Sequence, residues 1–86
     1  MVNVKLWIAN IAPGTSDDEI REFVKKYAPD LECRTILRIE GDGSRPGAML
    51  DFAGAPYGLV EKISIRLNGM YWKGRALLVS PQQEAT

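Results

Sequence analysis

The chain has 86 residues, with eleven basic and eleven acidic side chains, so its formal net charge is zero. This length suits one small domain with a modest core and excludes the deep cleft of a large enzyme. The chain has no histidine and a single cysteine, Cys33, which excludes a disulfide or a thiolate metal site within one chain. A balanced charge also argues against strong nonspecific binding of nucleic acid through phosphates alone.

The first residues show no signal for secretion or membrane insertion. Residues 1–5 lead directly into a strand-like pattern, without the charged leader and apolar stretch of a signal peptide. No apolar run approaches the roughly 20 residues that a membrane span requires. A lone thiol is typical of reducing compartments. We therefore expect a cytoplasmic protein, or a nuclear one if its source has a nucleus, with no membrane contact.

A strand and a helix are predicted in the first third of the chain. Residues 2–11 alternate, with Val4, Leu6 and Ile8 on the predicted buried face and Trp7 on the opposite face. After a break at residues 12–14, Ser16 is predicted to cap a helix, and Glu19 completes a capping box. The predicted helix has one apolar stripe and ends before Pro29; the stripe consists of Ile20, Phe23, Val24 and Tyr27.

Two further strands are predicted around a glycine-rich turn at residues 41–44. In the first, residues 31–40, alternation favours Cys33, Leu37 and Ile39 on the buried face and Ile36 on the outward face. In the second, residues 45–52, the predicted inward side chains are Ala48, Leu50 and Phe52.

The last third of the chain predicts a second helix and a fourth strand. The helix starts at Pro56 and ends at the pair Asn68-Gly69. A strand follows at residues 75–80, and residues 82–86 are expected to form a frayed tail. The order βαββαβ predicts an α+β, ferredoxin-like fold in one domain, residues 1–86, with a four-stranded antiparallel sheet and two helices packed on one face.

Two strand segments resemble the signature segments of the RNA-recognition motif. Leu6-Trp7-Ile8-Ala9-Asn10-Ile11 resembles the family's hexamer, and Arg45-Pro46-Gly47-Ala48-Met49-Leu50-Asp51-Phe52 resembles its octamer. The stretch Leu67-Asn68-Gly69, followed by Gly74-Arg75, Leu77 and Val79, is similar to the family's ending. The resemblance covers about residues 3–81 and implies the same ferredoxin-like fold.

The resemblance also implies a site for single-stranded RNA on the outward face of the sheet. Trp7 occupies the hexamer position whose aromatic ring stacks on a base, and Arg45 occupies the octamer position that contacts phosphate. The two further octamer aromatics are replaced by Gly47 and Met49, which predicts weak binding or limited sequence preference. The remaining predicted contacts are local positive charge and apolar surface, supplied by Arg34, Arg38, Met49, Ile36 and Leu78. Single-stranded DNA is a second candidate ligand.

A protein partner is the competing interpretation of the same surface. The predicted outward face carries an apolar strip that a partner or a second copy could cover, consisting of Trp7, Ala9, Ile36, Met49 and Leu78. Catalysis is not expected, because the sequence offers no nucleophile–base pair, metal cluster or phosphate-binding loop. We accordingly predict no cofactor, no metal and no small-molecule substrate.

Overall fold

The computed structural model describes residues 2–52 and 54–85 and has the predicted arrangement of two helices over one main sheet. The elements, in chain order, are β1 (Val2–Ala9), α1 (Asp17–Tyr27), β2 (Thr35–Ile39), β3 (Gly47–Asp51), α2 (Tyr57–Leu67), β4 (Tyr71–Trp72), β5 (Arg75–Ala76) and β6 (Leu78–Ala85). The main sheet is antiparallel with strand order β2-β3-β1-β6, and β4 and β5 form a separate two-stranded hairpin. The ferredoxin-like prediction is confirmed. Among the described residues, no helix is long and apolar enough to cross a membrane.

One core between the helices and the sheet contains the predicted inward side chains of β1, β3 and both helices. The fully or almost fully buried members include Leu6, Ile8, Ile20, Val24, Ala48, Leu50, Phe52, Val60, Leu67 and Leu77. Because both helices contribute to the same core, they cover one face of the sheet and leave the other uncovered.

The predicted N-cap of α1 and the predicted C-terminal ends of both helices are confirmed, whereas α2 starts at Tyr57, with Pro56 as its N-cap and not as its first residue. The side chain of Ser16 accepts a hydrogen bond from the backbone N–H of Glu19, and the Glu19 carboxylate accepts one from the backbone N–H of Ser16. Helix α1 ends at Tyr27, two residues before Pro29. Helix α2 ends at Leu67, and Gly69 follows with a positive φ of 82°.

The predicted orientation of β2 is wrong. Register pairs Ile36 with the buried Leu50 and Leu37 with Met49, so Ile36 points towards the helices and Leu37 towards the uncovered face. Arg38 also lies on the helix side, where its Nη1 donates to the carbonyl oxygen of Thr15 at 2.8 Å. Ile36 and Arg38 therefore do not belong to the outward face on which they were predicted.

The cause is the length of the β2–β3 connection. A turn confined to residues 41–44 would pair Glu40 with Arg45, whereas the observed register pairs Ile39 with Gly47 and leaves five residues between Glu40 and Pro46. A register shift of one residue moves every side chain of a strand to the opposite face. One extra loop residue thus accounts for the reversed strand.

The last strand is longer and starts later than predicted. Arg75 and Ala76 belong to the small hairpin, and β6 runs from Leu78 to Ala85. Residues 82–85 pair with β1 over Val2–Lys5, so they are part of the sheet and not a frayed tail. Thr86, the last residue of the predicted tail, lies outside the described residues.

Candidate nucleic-acid interface

The uncovered side of the main sheet, here called the open face, carries several exposed apolar side chains. Directly opposite residues in antiparallel strands share a face, so the register identifies its members from all four strands. Its central row runs across the sheet through Ser80, Trp7, Met49 and Leu37. A neighbouring row contains Leu78 opposite Ala9 and Ile39 opposite Gly47.

Three aliphatic side chains of the open face are highly exposed. Leu37 is 64% exposed, Leu78 62% and Ile39 46%, whereas Trp7 and Met49 between them are partly buried. Leu37 and Ile39 were predicted to be buried and are additions to the surface. Leu78, Met49 and Trp7 lie on the predicted face, so the structure brings three of the seven predicted contacts together there.

The indole ring of Trp7 lies over the backbone of Gly47. A Cβ atom built at Gly47 would lie 2.3 Å from Cη2 and 2.8 Å from Cζ2 of Trp7. Real Cβ atoms do not approach other atoms so closely, so any other residue at position 47 would displace the ring. Gly47 stands at an octamer position that usually holds an aromatic residue. Its lack of a side chain allows the ring of Trp7, the hexamer aromatic, to lie against the sheet.

The predicted arginines are distributed over different parts of the molecule. Arg45 is exposed, and its position two residues before Gly47 places it beside the β2–β3 end of the open face. Arg34 is also exposed but precedes β2, at the opposite end of the sheet, where its backbone N–H donates to Asp51. Arg38 is held on the helix side by ion pairs with Asp17 and Glu40 at 3.0 and 3.3 Å.

Two local networks fix the loop that carries Arg45. Hydrogen bonds from Ser44 hold the pKa of Asp42 below its usual range, and the nearby Arg45 guanidinium adds to the effect. Arg75 donates from Nη1 to the carbonyl oxygen of Ser44 at 2.7 Å, and the same nitrogen lies 3.4 Å from Oδ1 of Asn10. The role of Arg75 was not apparent in the sequence, because it depends on the β4–β5 hairpin approaching two distant loops.

Two further side chains of interest, Trp72 and Cys33, pack against the hydrophobic core. Trp72 stacks on Phe23 with ring centroids 4.4 Å apart, at the edge of the core. Cys33 is partly buried, and desolvation raises the pKa of its thiol despite the opposing influence of Arg21. Burial thus disfavours the reactive thiolate. Across residues 2–52 and 54–85, no three potential metal-ligating side chains are grouped together.

Comparison with known proteins gives a structural match without a sequence match. Neither the models of protein families nor the curated proteins contain a match to this sequence. Sixteen chains of solved structures do match, among them Pes4 RRM3, with a TM-score of 0.75 and 22% sequence identity. The alignment covers 95% of this chain and 94% of that one. The chain therefore has the fold of the RNA-recognition motif.

Proposed function

We propose that the protein is a nucleic-acid-binding module that holds single-stranded RNA across the open face, with Trp7 stacking on an unpaired base. The observation that carries the proposal is the position of Trp7. The residue lies in the central row that crosses all four strands, and its ring lies over the backbone of Gly47. Sheets of this fold bind RNA by stacking bases on aromatic side chains of central strands. The likeness to Pes4 RRM3, an RNA-recognition motif by its name, supports the same use of the fold.

The arrangement favours one stacked base bordered by apolar contacts. The indole packs against the backbone of Gly47 and is only partly buried, which supports its use as the surface on which a base stacks. Met49 lies next to Trp7 in the row, and its polarizable sulfur suits contact with a neighbouring ring. We expect Arg45, which is exposed beside the β2–β3 end of the open face, to contact a phosphate. Among the described residues, no hydrogen bond or ion pair holds the Arg45 side chain elsewhere.

The same chemistry implies modest affinity. Each base stacked on an aromatic side chain contributes about 1–3 kcal/mol, and the octamer lacks both of its further aromatics. The formal net charge of zero adds little general attraction for phosphates. We therefore expect weak binding with limited sequence preference.

Two single-tryptophan variants test the proposal. In Trp72→Phe, the remaining fluorescence comes from Trp7 on the open face; in Trp7→Phe, it comes from Trp72, which is stacked on Phe23. Titration with short mixed-sequence single-stranded RNA at low salt should quench Trp7 saturably and leave Trp72 unchanged. Equal response of both tryptophans, or none up to about millimolar RNA, would contradict binding through the open face. A parallel titration with single-stranded DNA measures whether the sugar is recognised.

Docking of a protein on the open face is the second candidate. The exposure of Leu37, Ile39 and Leu78 favours it, because three large aliphatic side chains around a partly buried tryptophan resemble an interface core. Leu78→Lys separates the two candidates. An added cation should preserve or strengthen RNA binding, whereas it should weaken docking of an apolar partner surface.

A further inference from the structure

The two edge strands of the main sheet differ in how well they are protected against pairing with another strand. On β6, Pro81 has no backbone N–H to offer, and the following residues, 82–84, are polar. On β2, the five residues Thr35–Ile39 include no proline, and their one charged side chain, Arg38, lies on the helix side, where Asp17 and Glu40 neutralise it. On the open face the same strand exposes Leu37 and Ile39. An edge strand whose exposed side chains are apolar is a template for pairing.

The sequence around β2 is complementary to itself in the antiparallel direction. A two-fold axis at Leu37 would place Leu37 opposite Leu37 of the second copy and Thr35 opposite Ile39. The same axis places Arg34 opposite Glu40, so each dimer contains two pairs of opposite charge. Directly opposite residues share a face, and opposite charges there stabilise strand pairing.

The charges that would meet are accessible in a single copy. Arg34 is exposed, and within the part of the chain that the structure describes it forms no ion pair. The Glu40 side chain is 59% exposed, and its Oε1 lies 3.3 Å from Nη2 of Arg38. The second carboxylate oxygen of Glu40 is thus free of this pair and can receive Arg34 of the other copy.

We propose that a second copy of this chain pairs with the edge of β2, antiparallel about Leu37, and forms an eight-stranded sheet. This arrangement joins the two open faces along the Leu37 side chains. It is independent of the RNA-binding proposal, because it needs only the backbone of β2 and the charges at its ends. Pairing of two short strands buries little area, so we expect a weak dimer with a dissociation constant on the order of 0.1–1 mM.

Sedimentation equilibrium at low salt, from about 10 µM to about 1 mM protein, measures the association directly. The proposal predicts a reversible monomer–dimer equilibrium, and a monomer over the whole range would overturn it. Arg34→Glu should weaken the dimer on the order of tenfold, because the introduced carboxylate then faces Glu40 of the other copy. Combining Arg34→Glu with Glu40→Arg exchanges the charges and should restore the dimer. A double variant as weak as the single one would overturn the assigned register.

Two controls locate the interface. Gln82→Lys changes an exposed residue on the opposite edge and should leave the dissociation constant unchanged. Leu78→Lys alters the open face and should also leave it unchanged. Loss of the dimer in Leu78→Lys with retention in Arg34→Glu would overturn edge pairing and place the association on the open face.

Discussion

The two faces of the main sheet are formed by the same strands but differ in how deeply their side chains are buried. On the helix side, Leu6, Ile8 and Leu50 are completely or almost completely buried, and their packing stabilises the fold. On the open face, the intervening residues Trp7 and Met49 are partly buried, and Leu37 is mostly exposed. Alternation along a strand therefore separates the buried residues from those of the proposed binding surface, and substitutions on the two faces should have different consequences.

The largest effect is expected on the helix side. Leu50→Ala removes a fully buried side chain and should lower the free energy of unfolding by about 2–5 kcal/mol. Leu37→Ala is the matched control on the open face. It should change the free energy of unfolding by no more than about 0.5 kcal/mol, because the side chain is largely in solvent. Urea denaturation of both variants measures the difference, and equal destabilisation would contradict the assignment of faces.

The next effect concerns the open face alone. Trp7→Ala should weaken RNA binding by about 1–3 kcal/mol, the contribution of one stacked base. Leu50→Ala, examined at a temperature where it is folded, should bind RNA nearly as well as the wild type. Binding isotherms from fluorescence anisotropy of labelled RNA provide the comparison. Unchanged affinity in Trp7→Ala would remove the tryptophan from the binding surface.

A smaller effect is expected on the salt dependence of RNA binding, which should distinguish an arginine beside the open face from one on the helix side. Arg45→Ala should reduce the slope of log affinity against log salt by about 0.7, the value for one phosphate contact of a single strand. Arg38→Gln should leave that slope unchanged, because Arg38 is already paired with Asp17 and Glu40 on the helix side. Equal slopes for Arg45→Ala and the wild type would show that Arg45 does not contact phosphate.

The smallest expected effect is a pH dependence of the stability that Glu19 of α1 contributes. The hydrogen bond from Lys73 and the one from the backbone of Ser16 lower the pKa of Glu19 from its ordinary value of 4.5. A carboxylate with a lowered folded-state pKa stabilises the protein above its unfolded-state pKa, and this contribution is lost as the pH falls through the folded-state value. Thermal unfolding of Glu19→Gln should therefore show a lower Tm than the wild type near neutral pH. The gap should close in acid, and a constant gap would contradict ionisation of Glu19 as its source.

Much of the fold was predictable because local signals agreed with one another. The capping box at Ser16 and Glu19 lies just before the apolar stripe of α1, and Asn68-Gly69 comes directly after the buried face of α2. The alternation of β1 and β3 also gave the correct buried face, since both central strands contact the core directly. Consistency between capping, periodicity and turn residues is typical of sequences that specify one fold.

The parts that were missed depend on long-range geometry. The face of β2 depended on one loop residue, and a strand at the edge has apolar side chains on both sides, so alternation alone could not decide it. The face of β2 could have been assigned by pairing it with β3, whose Leu50 is buried, but that pairing depends on the length of the β2–β3 loop. The position of Trp7 over Gly47 is a contact between two strands 40 residues apart in numbering, which only the folded sheet brings together.

Chemical-shift mapping of the isotopically labelled protein during an RNA titration tests the division between the two faces most directly. We expect saturable changes at the Trp7 indole N–H, the Met49 methyl and the Leu37 and Leu78 methyls. The methyls of the buried Leu50, Val60 and Ile63 should remain nearly unchanged. Changes concentrated on α1 and the β4–β5 hairpin, with a silent Trp7, would contradict the claim that the open face is the RNA-binding surface.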